Sequence, residues 1–529
     1  MLLNRPHKKF NAIFPANPLS ILADSIMKDI GFYDLLVIGG GVNGAGAARD
    51  AAGRGLKVAL CEKGDLGEGT SSRSGKLIHG GLRYLEYYEF RLVREALIER
   101  EVLLRNAPHI VWPMRFVLPH SPEQRPAWLI RLGLFLYDNL GGREKLASTR
   151  MLKLQQAPEG ECIKQDYRIA FEYSDCWVDD ARLVVLNALD AKERGASVLT
   201  RTSFTGAERK EDHWQVELQN TITGEKYQLT SKAILNTAGP WVRDVIQNVQ
   251  QLETKRNIRL VKGSHIVLKK FWEGNQAYLL QNDDKRVIFC NPYEGDLCLI
   301  GTTDIPYDGR SEDVAIDQSE IDYLLRVINR YFKKQLKPQD VVHSFSGVRP
   351  LYDDDAENPS AVTRDYVFEL DAPNQQLPVL SLFGGKITAF RQISEHALEK
   401  LKPFFPQMKA AWTDASPLPG GDLPGADFYS FQLELQKKFP WMDSALAKHY
   451  GRLYGTRCLD FLEGMEGPQD LGIHFGGQFY EREAQHLIEN EWAQTTEDIL
   501  SRRTKHGLHL SKTEQDHFFE WLTKTQLKS

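Results

Sequence analysis

The chain has 529 residues, 42% of them hydrophobic and 26% charged, and carries a net charge of −5 at pH 7. That length predicts more than one domain, and the composition is that of a globular protein rather than a disordered or fibrous one. The acidic balance argues against a nucleic-acid binder, the six scattered cysteines form no CxxC pair that would suggest a zinc site or disulfide framework, and no apolar run approaches the roughly 18–20 residues of a spanning helix. A reducing cytoplasm and no bound metal are the expectations that follow.

Residues 1–32 read as a loose extension in which Asn17–Ile30 could form a short helix. Tyr33–Ile38 then reads as a buried strand, Ala45–Gly53 as a close-packing helix and Leu56–Glu62 as a second strand. Gly39, Gly41 and Gly44 stand between the first strand and the helix in GxGxxG spacing, and Glu62 follows Gly44 by 18 residues. This is a dinucleotide-binding pattern in its required βαβ setting. Gly39 permits a tight turn, Gly41 a close approach of backbone to pyrophosphate, and Gly44 close helix–strand packing. The helix start, just after Asn43, offers free N–H groups and a partial positive charge to a phosphate. Glu62 is placed to accept from ribose hydroxyls.

NAD and FAD share this pattern. The following stretch, Gly64–Glu86, is rich in glycine and serine. Thr70, Ser71 and Ser72 offer hydroxyls and N–H groups, and His79-Gly80-Gly81 permits backbone to approach a flat ring. An NAD domain would more simply continue into another strand and helix, and the plain alternative is a solvated loop.

Several stretches, in order, resemble the aerobic FAD-dependent glycerol-3-phosphate dehydrogenase family of the wider D-amino-acid-oxidase-like flavoproteins. They are IGGGVNGAGAARDAAGRGL, TSSRSGKLIHGGLRYLE, EFRLVREALIEREVLL, FEYSDCWVDDARLV, NTAGPWV, KGSHIVL, GTTD, SGVRPL, TRDY and FGGKITAFR. The likeness runs from about residue 33 to the C-terminus. One departure is Gly75, where the family often has serine or threonine; a hydroxyl near the flavin is then missing. The resemblance implies an α/β fold: a Rossmann-like FAD-binding domain of the glutathione-reductase/D-amino-acid-oxidase type, interleaved with an antiparallel-sheet substrate domain, and a helical C-terminal domain. It also implies FAD as cofactor, with Lys76 among its contacts.

Further along, Arg182–Arg194 reads as a helix, Ala196–Thr202 as a strand, and Trp214–Gly239 as a hairpin turning at Thr223-Gly224 and returning through a buried strand, Ala233–Asn236. By family analogy Asn236–Gly239, including Ala238 and Gly239, closes over the pyrophosphate and adenosine. Strand Pro378–Phe383 meets Gly384-Gly385-Lys386 and a helix over Ile387–Leu401, with Thr388 at its start. This second glycine-to-helix junction would aim a helix N-terminus at the flavin N1/C2 carbonyl. Residues 33–405 are thus expected to hold interleaved FAD and substrate domains, 406–427 a Pro/Gly-rich linker and 428–529 a helical domain. Arg502, Arg503 and Lys505 read as a solvated charged face.

The implied substrate, sn-glycerol 3-phosphate, is a small dianion oxidised at C2 to dihydroxyacetone phosphate, with hydride passing to flavin N5. A phosphate calls for arginine forks and a lysine. Arg83, Arg349, Arg364 and Lys386 are the candidates, with Arg349 and Lys386 counted as catalytic. His265 is the candidate base, against the plainer reading of a core histidine; Tyr84 could orient the hydroxyl. A membrane quinone is the implied electron acceptor, which predicts peripheral attachment to the inner face of the cell membrane, and a homodimer is expected. Arg125–Lys145 is apolar with flanking cations and either lies in the interface or packs on the substrate domain. An oxidase using oxygen, an amino-acid or amine oxidase, and a flavin-binding scaffold without turnover are the other readings.

Overall fold

The computed structural model describes residues 27–284, 286–353 and 365–527. The first strand, β1 (Lys28–Ile38), is longer than the sequence suggests. Residues 28–32 do not form a loose arm or helix; they pair with Tyr227–Thr230 across an irregularity between Asp29 and Phe32, which satisfies their backbone groups. Helix α1 (Val42–Gly53) and strand β2 (Val58–Cys61) complete the predicted unit.

The first sheet runs Tyr366–Asp371, Val379–Gly384, Lys226–Asn236, β1, β2, Ser197–Leu199. The four pairings from Val379–Gly384 to Ser197–Leu199 are parallel, and the Tyr366–Asp371 edge is antiparallel. A parallel centre must be covered on both faces, hence the unbroken apolar runs: Leu35, Leu36 and Val37 have no exposed surface. Helix α1 and helix α4 (Asp180–Glu193) share a core with this sheet and with helix Phe390–Leu401.

The second sheet is mainly antiparallel. Its centre is Ile258–Lys269, flanked by Leu297–Gly301 and Val341–Tyr352, and it continues through Val287–Tyr293 and Ala277–Gln281 to Val111–His120 and Ile169–Val178. The amphipathic helix Gln318–Tyr331, started by an Asp317–Glu320 capping box, buries Leu324 and Ile328 against Ile266 and Tyr278. The chain visits the two sheets alternately, so both are interleaved in sequence and one cavity opens between them.

Beyond residue 427 the chain is mostly helical, around its own core of Leu435, Tyr450, Phe461, Leu487 and Phe518. The 406–427 linker is packed: Leu418 lies in the first core and Leu423 in the last, and Arg49 donates to the Ser416 carbonyl at 3.0 Å. One expectation needs correcting here. Arg502, Arg503 and Lys505 are not a solvated face; they are 5%, 0% and 4% exposed. Carboxylates from other segments make this burial tolerable: Asp65 pairs with both arginines, Asp498 with Arg502, and Asp179 with Lys505.

Candidate active site

A cavity of about 1160 Å³ lies between the two sheets and is lined by both glycine junctions. Its first end is made of backbone. Gly39 has φ +105°, and a Cβ there would meet the Thr237 carbonyl at 2.8 Å. A Cβ on Gly44 would stand 1.8 Å from the Gly39 oxygen, so only glycine lets α1 start this close to β1. The Val42 N–H donates to Ser71 Oγ at 3.0 Å, which ties the loop over the helix start. Glu62 accepts from the Gly40 N–H at 2.7 Å and the Gly64 N–H at 2.8 Å; burial raises its pKa. The Glu62 oxygens retain lone pairs for ribose hydroxyls.

The other end is made of side chains. Arg349 donates to Asp304 at 2.9 Å and Thr302 Oγ1 at 3.0 Å. Lys386 Nζ sits 3.7 Å from the centre of the Tyr84 ring. His265, at 3% exposure, stacks on Phe345 at 4.9 Å between ring centres. Burial, then the charges of Arg349 and Lys76, pushes its pKa down to about 3, so the ring is neutral at pH 7. His79 is likewise held neutral, at about 4, by burial and by Lys386 and Arg100. Arg349, paired with Asp304, and Lys386 thus stand as cations beside neutral imidazoles.

Comparison with known proteins matches residues 34–371 to the FAD dependent oxidoreductase family and residues 411–517 to the C-terminal domain of alpha-glycerophosphate oxidase. The chain belongs to the FAD-dependent oxidoreductases. Its cofactor is FAD. It is 62% identical to D-erythritol 1-phosphate dehydrogenase of Brucella abortus (93% of this chain, 98% of that protein). It is 52% identical to glycerol-3-phosphate dehydrogenase of Pseudomonas aeruginosa (93% and 95%). Among solved structures it resembles the glycerol-3-phosphate dehydrogenase of Bacillus halodurans complexed with FAD: TM-score 0.71, 26% identity, 93% of this chain and 94% of that one.

The residues present fit FAD. Asn43 Oδ1, His265 Nδ1 and Asn291 Oδ1 are buried without a hydrogen-bond partner among the described residues, and all three residues line the cavity. Orphaned polar atoms on a cavity wall call for a ligand. Gly41, Thr70, Ser71, Ala238 and Gly239 line it at the β1 end, and Gly81, Gly384, Gly385 and Thr388 further along.

Four of the residues assigned to the cofactor stand behind the wall. Gly44 serves packing. The Ser72 carbonyl accepts from Lys76 Nζ at 3.2 Å, and the same ammonium donates to Asp180 at 2.6 Å. A buried ammonium needs a carboxylate, and Asp180 supplies it. The Gly80 N–H donates to Tyr137 Oη at 2.8 Å. Arg364 and the side chain of Arg83 lie outside the described residues.

The departure at Gly75 also has a place: a Cβ there would lie 3.7 Å from His265 Nε2, so the missing side chain faces the imidazole. Sequence reasoning missed Arg73, Arg201 and Arg286, which line the cavity, and Asp304, which holds Arg349. Asp304 closes the quoted GTTD stretch, the one signal that could have found it.

Proposed function

We propose that this FAD enzyme oxidises the secondary alcohol of a short polyol monophosphate, with sn-glycerol 3-phosphate the substrate and dihydroxyacetone phosphate the product. The observation that carries this reading is the meeting of Arg349 and Lys386 with the neutral His265 in one cavity with the FAD-binding glycines. Arg349, oriented by Asp304, presents a fork to the phosphate, and Lys386 adds a point charge. Tyr84 supports Lys386 from below and bounds the space for the carbon chain. His265 accepts the hydroxyl proton at Nε2, the nitrogen that faces the open space at Gly75. Bound FAD supplies the two-electron acceptor for the hydride that leaves C2. A carboxylate or amine substrate makes poorer use of two convergent cations than a dianion does.

D-erythritol 1-phosphate is a second reading, favoured by the relative at 62% identity named for that activity. It adds one hydroxymethyl unit to the same phosphate-anchored frame. Electrons are proposed to pass to a membrane quinone. Helix α3 (Ala127–Leu140) supports this: Leu134 and Tyr137 are buried, while Trp128 (68%), Leu132 (48%) and Phe135 (62%) face outward beside Arg131. The two expectations for this segment thus concern two faces of one helix, one packed and one open to a bilayer surface. No helix among the described residues is long and apolar enough to cross a membrane.

The test is anaerobic mixing of the purified holoenzyme with either phosphate while flavin absorbance is followed. Faster bleaching by glycerol 3-phosphate supports the first reading, and faster bleaching by erythritol 1-phosphate the second. No bleaching by either overturns both. Reoxidation faster with a quinone analogue than with oxygen supports the proposed acceptor, and the reverse identifies an oxidase.

A further inference from the structure

The C-terminal domain reaches the cavity at Glu497, which lines it next to a short π-helical turn, Asp498–Arg503. This turn delivers two arginines to one carboxylate. Asp65, with no exposed surface, accepts from Arg502 Nε at 2.6 Å and from Arg503 Nη1 and Nη2 at 2.7 and 2.8 Å. Asp65 belongs to the loop that follows β2. That loop has little regular structure of its own, yet it carries the cavity wall: the Gly67 N–H donates to the Gly40 carbonyl at 3.0 Å, Gly64 holds Glu62, and Ser71 caps the start of α1. A second arm runs through Asp498, which accepts two bonds of 2.7 Å from Arg201, a cavity-lining residue whose N–H donates to the Gly64 carbonyl at 2.9 Å. The turn therefore grips the loop at two neighbouring points, the Asp65 carboxylate and, through Arg201, the Gly64 carbonyl.

We propose that Arg502 and Arg503 are positioning residues for the cofactor: they hold the Gly64–Ser72 loop in its FAD-binding conformation, so FAD affinity depends on the C-terminal domain. Other ion pairs join the same parts of the molecule, but they end on regular structure. Lys505 meets Asp179 and Arg182 meets Glu491 at the start of α4, and Arg457 meets Glu193 at its exposed end. A rigid helix needs no outside partner to keep its shape. A glycine-rich loop does, because its backbone entropy is otherwise free to oppose the bound geometry. By linkage, bound FAD must tighten the Asp65 contact in return.

The experiment measures FAD dissociation from apoprotein by flavin fluorescence, well below the unfolding temperature, beside the apoprotein Tm. Arg503→Met and Asp65→Asn are each expected to weaken FAD binding about tenfold or more, and the double variant to add less than about threefold, since both remove the Arg503–Asp65 pair. Arg457→Gln, which breaks the surface pair with Glu193, is expected to leave affinity within about twofold. A drop in apoprotein Tm for Arg503→Met with FAD affinity unchanged overturns the proposal. So does an equal loss in Arg457→Gln. Should Arg503→Met not fold, Arg502→Gln keeps the Arg503–Asp65 pair and is expected to weaken binding about threefold; unchanged affinity there also overturns it. FAD is further expected to slow amide exchange over residues 498–505, and no slowing counts against it.

Discussion

The two ends of the cavity are built from different materials. At the β1 end the contacts are backbone: Gly39, the Val42 N–H and the N–H groups that Glu62 holds, with Gly44 packed behind them. At the far end they are side chains from distant segments: Tyr84, His265, Arg349 and Lys386. A wall of backbone tolerates no added atom, because its neighbours cannot rotate away. A wall of side chains can lose a member and keep its shape. Changes at the first end should therefore abolish the cofactor, and changes at the second should leave a yellow but inactive protein.

The largest effect is expected for Gly44→Ala, whose new Cβ would meet the Gly39 oxygen at 1.8 Å. Purified protein should carry less than about a tenth of the wild-type flavin, read from the absorbance ratio; full flavin content would break the contrast between the two ends. Arg349→Met should keep its flavin but lose about 10²–10³-fold in kcat/KM, the cost of removing the proposed charged partner of the phosphate while Asp304 loses its own. Colourless protein from this variant would show that the side-chain end also holds FAD.

A third effect joins the side-chain end and the C-terminal domain. His79, His265 and the C-terminal His506 are held below the ordinary 6.5, at about 4, 3 and 4, burial being the first cause in each case. Below pH 6.5 the unfolded chain takes up protons that the folded one refuses. Stability from these groups is thus complete above pH 6.5 and falls as pH drops toward about 4. Thermal unfolding of the holoenzyme should show Tm flat from pH 7 to 8 and declining below 6.5; a Tm that holds steady to pH 4.5 contradicts the burial argument. The smallest change in turnover is expected for Trp128→Asp with Phe135→Asp on the open face of α3. Stability should move by less than about 1 kcal/mol, whereas co-sedimentation with anionic lipid vesicles should drop several-fold; undiminished sedimentation removes α3 from the membrane reading.

Legibility followed the same division. The β1 end was readable because its parts are local: three glycines, a strand on each side and an acid at fixed spacing. His265, Arg349 and Lys386 were nameable through the family likeness, and the cavity gathers them. Lys76 was misplaced because its partner, Asp180, lies 104 positions away and no local pattern announces a buried ion pair. Arg502 and Arg503 failed for the same reason, more severely: a cluster of cations looks solvated until the fold supplies Asp65, more than 430 positions upstream. The packing of the 406–427 linker was not legible because proline and glycine mark irregular backbone, and irregular backbone can still be packed, as Leu418 and Leu423 are. The extra turn of β1 was invisible because Lys28–Phe32 becomes strand only through its neighbour Lys226–Asn236.

The alternation of the chain between two sheets sets a timetable for its synthesis. The parallel partner of β1 on one side, β2, leaves the ribosome almost at once, but the strand on its other side begins at Lys226 and the last parallel strand ends at Gly384. At about 5–20 residues per second, roughly 20–70 seconds separate β1 from the completion of its own sheet. Until Lys226–Asn236 emerges, roughly 10–40 seconds after β1, that strand has one finished edge and one open edge. The growing chain should depend on a holdase or on early pairing with β2 to stay out of aggregates, and slowed translation between β2 and Asn236 should cost more yield than slowed translation of the helical domain at the C-terminus.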